Sequence, residues 1–159
     1  MPRGSDAGAL VAVPRVERAG AADAAALAAL AAEALPDPWS QRGFELEIES
    51  PDARVWIVRG PAPALVGYLA AQHVLDEIHV WSLAVAAASR RRGVGRLLIE
   101  HALAHGGRAR IAHLEVRAAD AGARAFYERL RFEAVGRRPG FYAGGADAIS
   151  MSRVVQREA

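Results

Sequence analysis

The fold is decided by residues 78–98, whose sequence is IHVWSLAVAAASRRRGVGRLL. Residues 78–85 are mostly apolar on both faces, which is typical of a buried central strand. Strict alternation along this strand predicts one face formed by Ile78, Val80, Ser82 and Ala84. A helix is predicted from Val94 to about His105, with an inward stripe of Leu97, Leu98, His101 and Ala102. The stretch is therefore a strand, a sharp turn and a helix.

The turn is rich in arginine and glycine. A helix N-terminus presents unpaired N–H groups and the positive end of the backbone dipole, and glycine lets a phosphate approach closely. The sequence therefore predicts that a diphosphate-sized anion binds at Arg90, Arg91, Arg92, Gly93, Val94, Gly95 and Arg96. A P-loop needs a lysine, but all 20 basic residues are arginine, and a dinucleotide fingerprint needs a glycine where Leu98 stands. The alternative is a glycine-capped turn with a solvated arginine face.

The composition indicates one globular domain. The chain has 159 residues, of which 52% are hydrophobic, enough for a single core. We predict a disordered tail over residues 1–9 and one domain over residues 10–155. The absence of cysteine excludes disulfides, thiolate zinc sites and a cysteine nucleophile. The beginning of the sequence carries no apolar leader, so a soluble cytoplasmic protein is expected, with neither membrane nor nucleic acid as a partner.

The order of the elements predicts an α/β fold in which one twisted mixed sheet has helices on both faces. The predicted strands are residues 10–16, 55–59, 65–75, 78–85, 111–116, 132–137 and 149–154. The predicted helices are residues 21–34, 41–49, 94–105 and 120–130. His101 and His105 have the i, i+4 spacing of metal ligands, but no third ligand accompanies them, so no metal is expected.

Several motifs resemble those of one enzyme family. Arg90-x-x-Gly93-x-Gly95 is similar to the pattern with which the Gcn5-related N-acetyltransferases (GNAT) hold the pyrophosphate of acetyl-CoA. The other motifs resemble the RimI-type branch, which acetylates protein N-termini. They are Asp37-Pro38-Trp39-Ser40 followed by Phe44, Leu114-Glu115-Val116-Arg117, Ala125-Phe126-Tyr127-Glu128 with Phe132, and Gly136-Arg137-Arg138-Pro139-Gly140-Phe141-Tyr142 with Asp147-Ala148.

The resemblance implies an activity and a set of site residues. The co-substrate would be acetyl-CoA, and the acceptor the N-terminal alanine of a small-subunit ribosomal protein. The matching residues imply Glu115 as base and Tyr127 as acid. The resemblance also implies a bulge near Leu83, Ala84 and Val85, where backbone N–H groups would polarise the carbonyl. Asp120 and Tyr127 would also contact the cofactor arm. The candidates for the substrate groove are Trp39, Glu77, Phe141 and Tyr142.

The residues themselves leave alternatives open. Glu115 points away from Leu114 and Val116 on an alternating strand, toward the cleft, or it pairs with an arginine such as Arg117 or Arg124. An α-amino group has a pKa near ~7.8 and lysine near ~10.4, so an N-terminal substrate makes the lighter demand on a base. Tyr127 falls on the sheet-facing side of its helix. It is either a proton donor in the site or an aromatic residue of the core.

Four positions depart from the family pattern. They are Asp120 in place of asparagine, Arg131 in place of glycine, Phe141 in place of tyrosine and Ala146 in place of an acid. A left-handed backbone at Arg131 costs about 1 kcal/mol or more. The departure at Phe141 leaves open a relaxed N-terminal or lysine acetyltransferase with other protein targets. The non-enzymatic alternative is a protein that binds acyl-CoA as a sensor without catalysis. A third alternative is a nucleic-acid-binding module that uses the arginines of the turn.

Overall fold

A computed structural model describes residues 14–61 and 64–155. The strands are β1 Val16–Arg18, β2 Ala53–Arg59, β3 Leu65–Val74, β4 Glu77–Val85, β5 Ile111–Arg117, β6 Glu133–Arg138 and β7 Ala148–Val154. The helices are α1 Ala24–Ala34, α2 Gln41–Glu49, α3 Val94–Ala104 and α4 Ala121–Arg129. The predicted tail and residues 10–13 of the first predicted strand lie outside the described residues.

The strands form a seven-stranded sheet in the order β1-β2-β3-β4-β5-β7-β6. Every neighbouring pair is antiparallel except β4 and β5, which run parallel. A parallel pair needs a crossover, and α3 supplies it. The predicted mixed sheet is confirmed, and its one parallel pair lies at the centre.

The helices cover both faces of this sheet. Helices α3 and α4 pack on one face, in the core that contains Trp56, Leu98, Leu114 and Phe132. Helices α1 and α2 pack on the other face, around Leu27, Phe44, Ile57 and Tyr68. Within the described residues, none of the helices has the length and hydropathy needed to cross a bilayer.

Two predicted helix details differ from the structure. Helix α1 begins at Ala24, because residues Ala21–Asp23 form a separate 3-10 turn. On α3 the fully buried stripe is Leu98, Ile99, Ala102 and Leu103, so the predicted stripe with Leu97 and His101 is rotated by about one position. His101 lies beside the ring of Trp56, with 4.5 Å between ring centroids.

Strand β4 contains a bulge at Trp81. Ala71 of β3 pairs with Val80, whereas the preceding Ala70 pairs with Ser82, so Trp81 has no partner. A bulge inserts one residue and re-aims the side chains that follow it. Ile78 and Val80 accordingly point into the α3–α4 core, whereas Ala84 points into the α1–α2 core. The predicted single face through Ile78, Val80, Ser82 and Ala84 is therefore wrong.

The bulge also ends the parallel pairing. The register of β4 with β5 runs from Glu77 opposite Ile111 to Val80 opposite Leu114 and stops there. Beyond this point the two strands separate, and a fork opens in the middle of the sheet.

Helix α4 ends in a Schellman motif closed by Arg131. The amide of Phe132 donates to the carbonyl of Tyr127 at 3.0 Å, and the amide of Arg131 donates to the carbonyl of Glu128 at 2.9 Å. This pattern requires a left-handed residue at the position after the cap. Arg131 has φ of 67°, so the strain expected for an arginine in place of glycine is present.

We expect Arg131→Gly to stabilise the fold by about 0.5–1 kcal/mol, because glycine adopts positive φ without the steric cost that arginine bears. The gain is smaller than the full strain because glycine also has more freedom in the unfolded chain. Urea unfolding followed by circular dichroism measures the change. Arg129→Gly is the matched control, and because Arg129 lies inside the helix it should lower stability by about 1 kcal/mol. A loss of stability in Arg131→Gly would contradict the strain argument.

Candidate active site

A cavity of about 250 Å³ lies in the fork between β4 and β5. Its walls come from the loop before α2, the two diverging strands, the start of α4 and the loop between β6 and β7. The lining residues are Leu35, Pro36, Asp37, Trp39, Val80, Trp81, Ser82, Leu83, Leu114, Glu115, Val116, Arg117, Asp120, Ala123, Tyr127 and Tyr142. Six of the predicted site residues meet here, namely Trp39, Leu83, Glu115, Asp120, Tyr127 and Tyr142.

Glu115 lies in the wall of this cavity with a side chain that is only 9% exposed. One carboxylate oxygen, Oε2, lies 2.7 Å from Nε2 of His79, and Oε1 accepts from Nη1 of Arg138 at 3.4 Å. Burial raises the pKa of Glu115, but the bond from His79 and the charges of Arg138 and His113 together hold it below its ordinary value. Glu115 is therefore ionised at neutral pH and is able to accept a proton.

The arginines considered as partners of Glu115 are engaged elsewhere. Arg117 forms an ion pair with Asp37, and Nε of Arg124 donates to Glu128 at 3.1 Å. The carboxylate of Glu115 instead meets Arg138, on a strand that is remote in sequence.

Tyr127 faces the cavity from helix α4. Its ring packs against Phe126 and Phe132, with centroid distances of 5.0 and 5.7 Å. Burial, and then the neighbouring Tyr142 and Asp120, raise the pKa of Tyr127. The phenol therefore stays protonated and can donate a hydrogen bond at any pH near neutral.

Helix α4 is anchored where it meets the cavity. The carboxylate of Asp120 accepts from the amide of Ala123 at 2.9 Å and caps the helix. The departure from asparagine at this position thus leaves the cap intact.

The backbone of β4 turns amides toward the fork. The amide of Ala86 donates to the carbonyl of Val66 on β3 at 2.8 Å. N–H groups alternate in direction along a strand, so the amide of Ala84 also points to β3. The amides of Leu83 and Val85 point to the opposite side, where β5 no longer pairs with β4. Leu83 and Val85, and not Ala84, therefore offer donors at the fork.

The arginine-rich turn, residues 90–96, lies after β4 and runs into the first turn of α3. Gly93 has φ of 80°, and a Cβ built on it would meet nothing within 4 Å. The first hydrogen bond of helix α3 runs from the amide of Leu97 to the carbonyl of Gly93, at 2.9 Å. The amides of Val94, Gly95 and Arg96 come before it and have no partner within the helix. The turn leaves open space beside three free amides, with exposed side chains at Arg90, Arg91, Arg92 and Arg96. An anion such as a pyrophosphate fits this environment.

Arg117 connects the two loops that border the cavity on the other side. Its guanidinium pairs with Asp37 in the loop before α2 and lies 4.4 Å from the ring centroid of Tyr142 in the β6–β7 loop. Trp39 packs at 5.3 Å against Phe44 of α2. Arg117 and Asp37 were not predicted as site residues, and the motifs that contain them are their only sequence signal.

Two predicted groove residues do not line the cavity. Glu77 lies at the beginning of β4, where its Oε1 is 3.5 Å from Nε2 of His113. Phe141 is 39% exposed and packs edge-on against Tyr142 at 5.0 Å. Within residues 14–61 and 64–155, no group of three or more His, Cys, Asp or Glu side chains is placed to hold a metal ion.

Comparison with known proteins identifies relatives of the whole domain. The acetyltransferase (GNAT) family model matches residues 24–132. The chain is 36% identical over 125 residues to an uncharacterized protein of Mycobacterium leprae, an alignment that covers 76% of this chain. The chain spans only about a third of that relative, since 34% of its length is covered.

Two relatives of similar length carry functional names. The N-alpha-acetyltransferase RimI of Mycobacterium tuberculosis is 34% identical over 124 residues, covering 74% of this chain and 76% of that protein. The ribosomal protein bS18-alanine N-acetyltransferase of Escherichia coli is 32% identical over 120 residues, covering 72% and 80%.

Solved structures agree with the fold. The ribosomal-protein-S18-alanine N-acetyltransferase of Escherichia coli superposes with a TM-score of 0.81 at 26% identity, over 92% of this chain and 97% of that one. Arabidopsis thaliana NAA60 in complex with acetyl-CoA gives a TM-score of 0.82 at 19% identity, over 90% and 99%.

Proposed function

The chain belongs to the acetyltransferase (GNAT) family and is an enzyme of the N-acetyltransferase class, and on that premise we propose that it acetylates the α-amino group of a protein N-terminus. The proposed acceptor is the N-terminal alanine of a ribosomal protein. The Escherichia coli relative is named for that reaction, which supports the choice of acceptor.

The observation that carries the proposal is the meeting of Glu115 and Tyr127 at one cavity. These residues lie on β5 and α4, with an ionised carboxylate on one wall and a protonated phenol on another. Acyl transfer to an amine needs a group that accepts a proton from the amine and one that stabilises the leaving thiolate. The cavity offers both.

Acetyl-CoA, as co-substrate, would supply the acetyl group as a thioester. The amides of Val94, Gly95 and Arg96, together with Arg90, Arg91, Arg92 and Gly93, would hold its pyrophosphate. The amides of Leu83 and Val85 would then donate to the carbonyl oxygen, on which negative charge develops. Asp120 lies where the fork opens and would contact the pantetheine arm, as the family resemblance implies.

The acceptor peptide would enter between the two loops that Arg117 connects. Trp39 and Tyr142 would flank its first residue, and Glu115 would take the proton from its ammonium group. An α-amino group with a pKa of about 7.8 is already partly neutral at pH 7, so it demands less of the base than a lysine does.

The proposal is tested with one synthetic peptide that has a free N-terminal alanine, several arginines and one internal lysine. After incubation with the protein and acetyl-CoA, mass spectrometry with fragmentation locates the acetyl group. We expect a single acetyl group on the α-nitrogen. The matched control is the same peptide with its N-terminus already acetylated, which should gain nothing.

Other outcomes contradict the proposal in distinct ways. Acetylation of the lysine in the blocked control would place the enzyme in the lysine class. Equal acetylation of a peptide that begins with methionine would indicate relaxed N-terminal specificity. Tight acetyl-CoA binding by calorimetry without transfer to either peptide would indicate the non-catalytic sensor.

A further inference from the structure

His79 contacts Glu115 and is not one of the residues that line the cavity. It precedes the bulge of β4, and its Nε2 is 2.7 Å from Oε2 of Glu115. An ionised carboxylate only accepts hydrogen bonds, so Nε2 of His79 must carry the proton and donate it. The polar contact of His79 with the site described above is therefore the one to Glu115.

The ring of His79 is fixed by its neighbour in the bulge. It stacks on the indole of Trp81 with 3.8 Å between centroids and 4° between planes. Trp81 itself lines the cavity. The imidazole lies flat against the indole with Nε2 within hydrogen-bond distance of the carboxylate, and the side chain is 24% exposed.

Other charged groups around Glu115 cannot replace this donor. Arg138 of β6 reaches Oε1 only at 3.4 Å and is 54% exposed. His113 donates or accepts at Ser152 Oγ at 2.9 Å and faces Glu77 at 3.5 Å, so its ring is engaged elsewhere. Tyr142, in the β6–β7 loop, has a phenol whose pKa is raised mainly by burial, and the nearby charge of Glu115 adds to that rise.

We propose that His79 is a positioning residue that holds the Glu115 carboxylate in its catalytic orientation through the Nε2–H donor. The inference rests on the proposed function, in which Glu115 accepts the proton of the amine. The bond engages Oε2, so Oε1, which has only the longer contact with Arg138 at 3.4 Å, is the oxygen that would face the substrate. Removal of the donor would leave burial, which raises the pKa of Glu115, opposed only by more distant charges.

The first test measures Glu115 itself, and it needs no turnover. Protein labelled with ¹³C at the glutamate carboxyls is titrated by NMR, and the signal of Glu115 is assigned as the one missing in Glu115→Gln. We expect His79→Ala to move the titration of Glu115 to higher pH. His79→Gln should move it less, since a glutamine Nε2 reaches the same point and still donates. His113→Gln is the matched control on the same face of the sheet.

The second test is kinetic. We expect His79→Ala to lower kcat about ten-fold with the KM for acetyl-CoA unchanged, and His79→Gln to recover most of that loss. His113→Gln should keep kcat within about two-fold, because its ring does not touch Glu115.

These outcomes separate the inference from the proposed function. If the wild type acetylates no peptide, the proposed function fails, and the NMR titration still decides whether His79 governs Glu115. An unchanged Glu115 titration in His79→Ala overturns the inference. So does a His79→Gln variant as impaired as His79→Ala, because a proton carried by His79 itself would then be needed.

Discussion

Glu115→Gln is expected to lower kcat about 100-fold at pH 7, which is the lower end of what a positioned general base contributes. The amide has nearly the same shape as the carboxylate but cannot take a proton from the substrate ammonium. At pH 7 only about a seventh of α-amino groups are neutral, whereas at pH 9 more than nine-tenths are. The fraction of neutral amine accounts for about seven-fold of the deficit at pH 7, and the rest reflects the proton that the amine loses as it attacks the thioester. The deficit should therefore shrink about seven-fold, to roughly 15-fold, as the pH rises to 9. Steady-state rates measured from pH 6.5 to 9 with the alanine peptide test this.

A surface carboxylate of the neighbouring helix provides the control for Glu115→Gln. Glu128 is exposed and pairs with Arg124 on α4, so Glu128→Gln removes the same charge without touching the cavity and should leave kcat unchanged. If the Glu115→Gln deficit were constant across this pH range, removal of the ammonium proton could not be the role of Glu115. Unaltered turnover at every pH would show that Glu115 is not the base.

Local signals in the sequence predicted the elements well. Helix α2 spans Gln41–Glu49 as expected, because Ser40 supplies its cap by accepting from the amide of Gly43 at 3.1 Å. Helix α3 and strand β5 were also placed to within one residue at each end. Caps, glycines and apolar periods act over a few residues, and one sequence is enough to find them.

The bulge at Trp81 could not be predicted in the same way. It inverts the alternation in the middle of β4, and its cause is the pairing with β3, which is not a local property. The fork follows from it, because β5 pairs with β4 only up to Val80. The alternation of residues therefore predicted the strand, whereas the bulge was implied only by the family resemblance, near Leu83 to Val85, and the structure places it at Trp81.

Within the site, the sequence identified individual residues but not the contacts between residues that are remote in sequence. The resemblance to the family named Glu115 and Tyr127, and each motif matched at its own position. The partners of Glu115 could not be predicted, because His79 and Arg138 are 36 and 23 residues away from it in the sequence. The same holds for Arg117, which pairs with Asp37 across 80 residues. Such pairs depend on the register of the sheet.

Arg131 links the stability of α4 to the site. Its strained backbone closes the Schellman motif whose first carbonyl belongs to Tyr127. The same residue that departs from the family pattern thus ends the helix that carries the proposed acid. The strain is local to the helix end, and the phenol of Tyr127 remains at the cavity.

Tyr127→Phe is expected to lower kcat about 100-fold while the KM for acetyl-CoA stays within about two-fold. The phenyl ring keeps its packing against Phe126 and Phe132, so only the hydroxyl is lost. Its raised pKa makes the phenol a hydrogen-bond donor to the departing thiolate. Acetyl-seleno-CoA is an acyl donor with a more acidic leaving group, so its departing selenolate needs less stabilisation by a hydrogen bond. The deficit of Tyr127→Phe should therefore be smaller with the selenoester than with acetyl-CoA.

Tyr68→Phe is the matched control, because it removes a second buried phenol from the opposite core. Burial raises the pKa of Tyr68 to about 12, and its hydroxyl lies 2.6 Å from Oγ of Ser82. Loss of that hydrogen bond should cost about 1 kcal/mol of stability with little change in kcat, whereas Tyr127→Phe should cost activity with little change in stability. A Tyr127→Phe enzyme with normal kcat, or a deficit equal for both acyl donors, would show that the phenol does not assist the leaving group and that Tyr127 serves only the core.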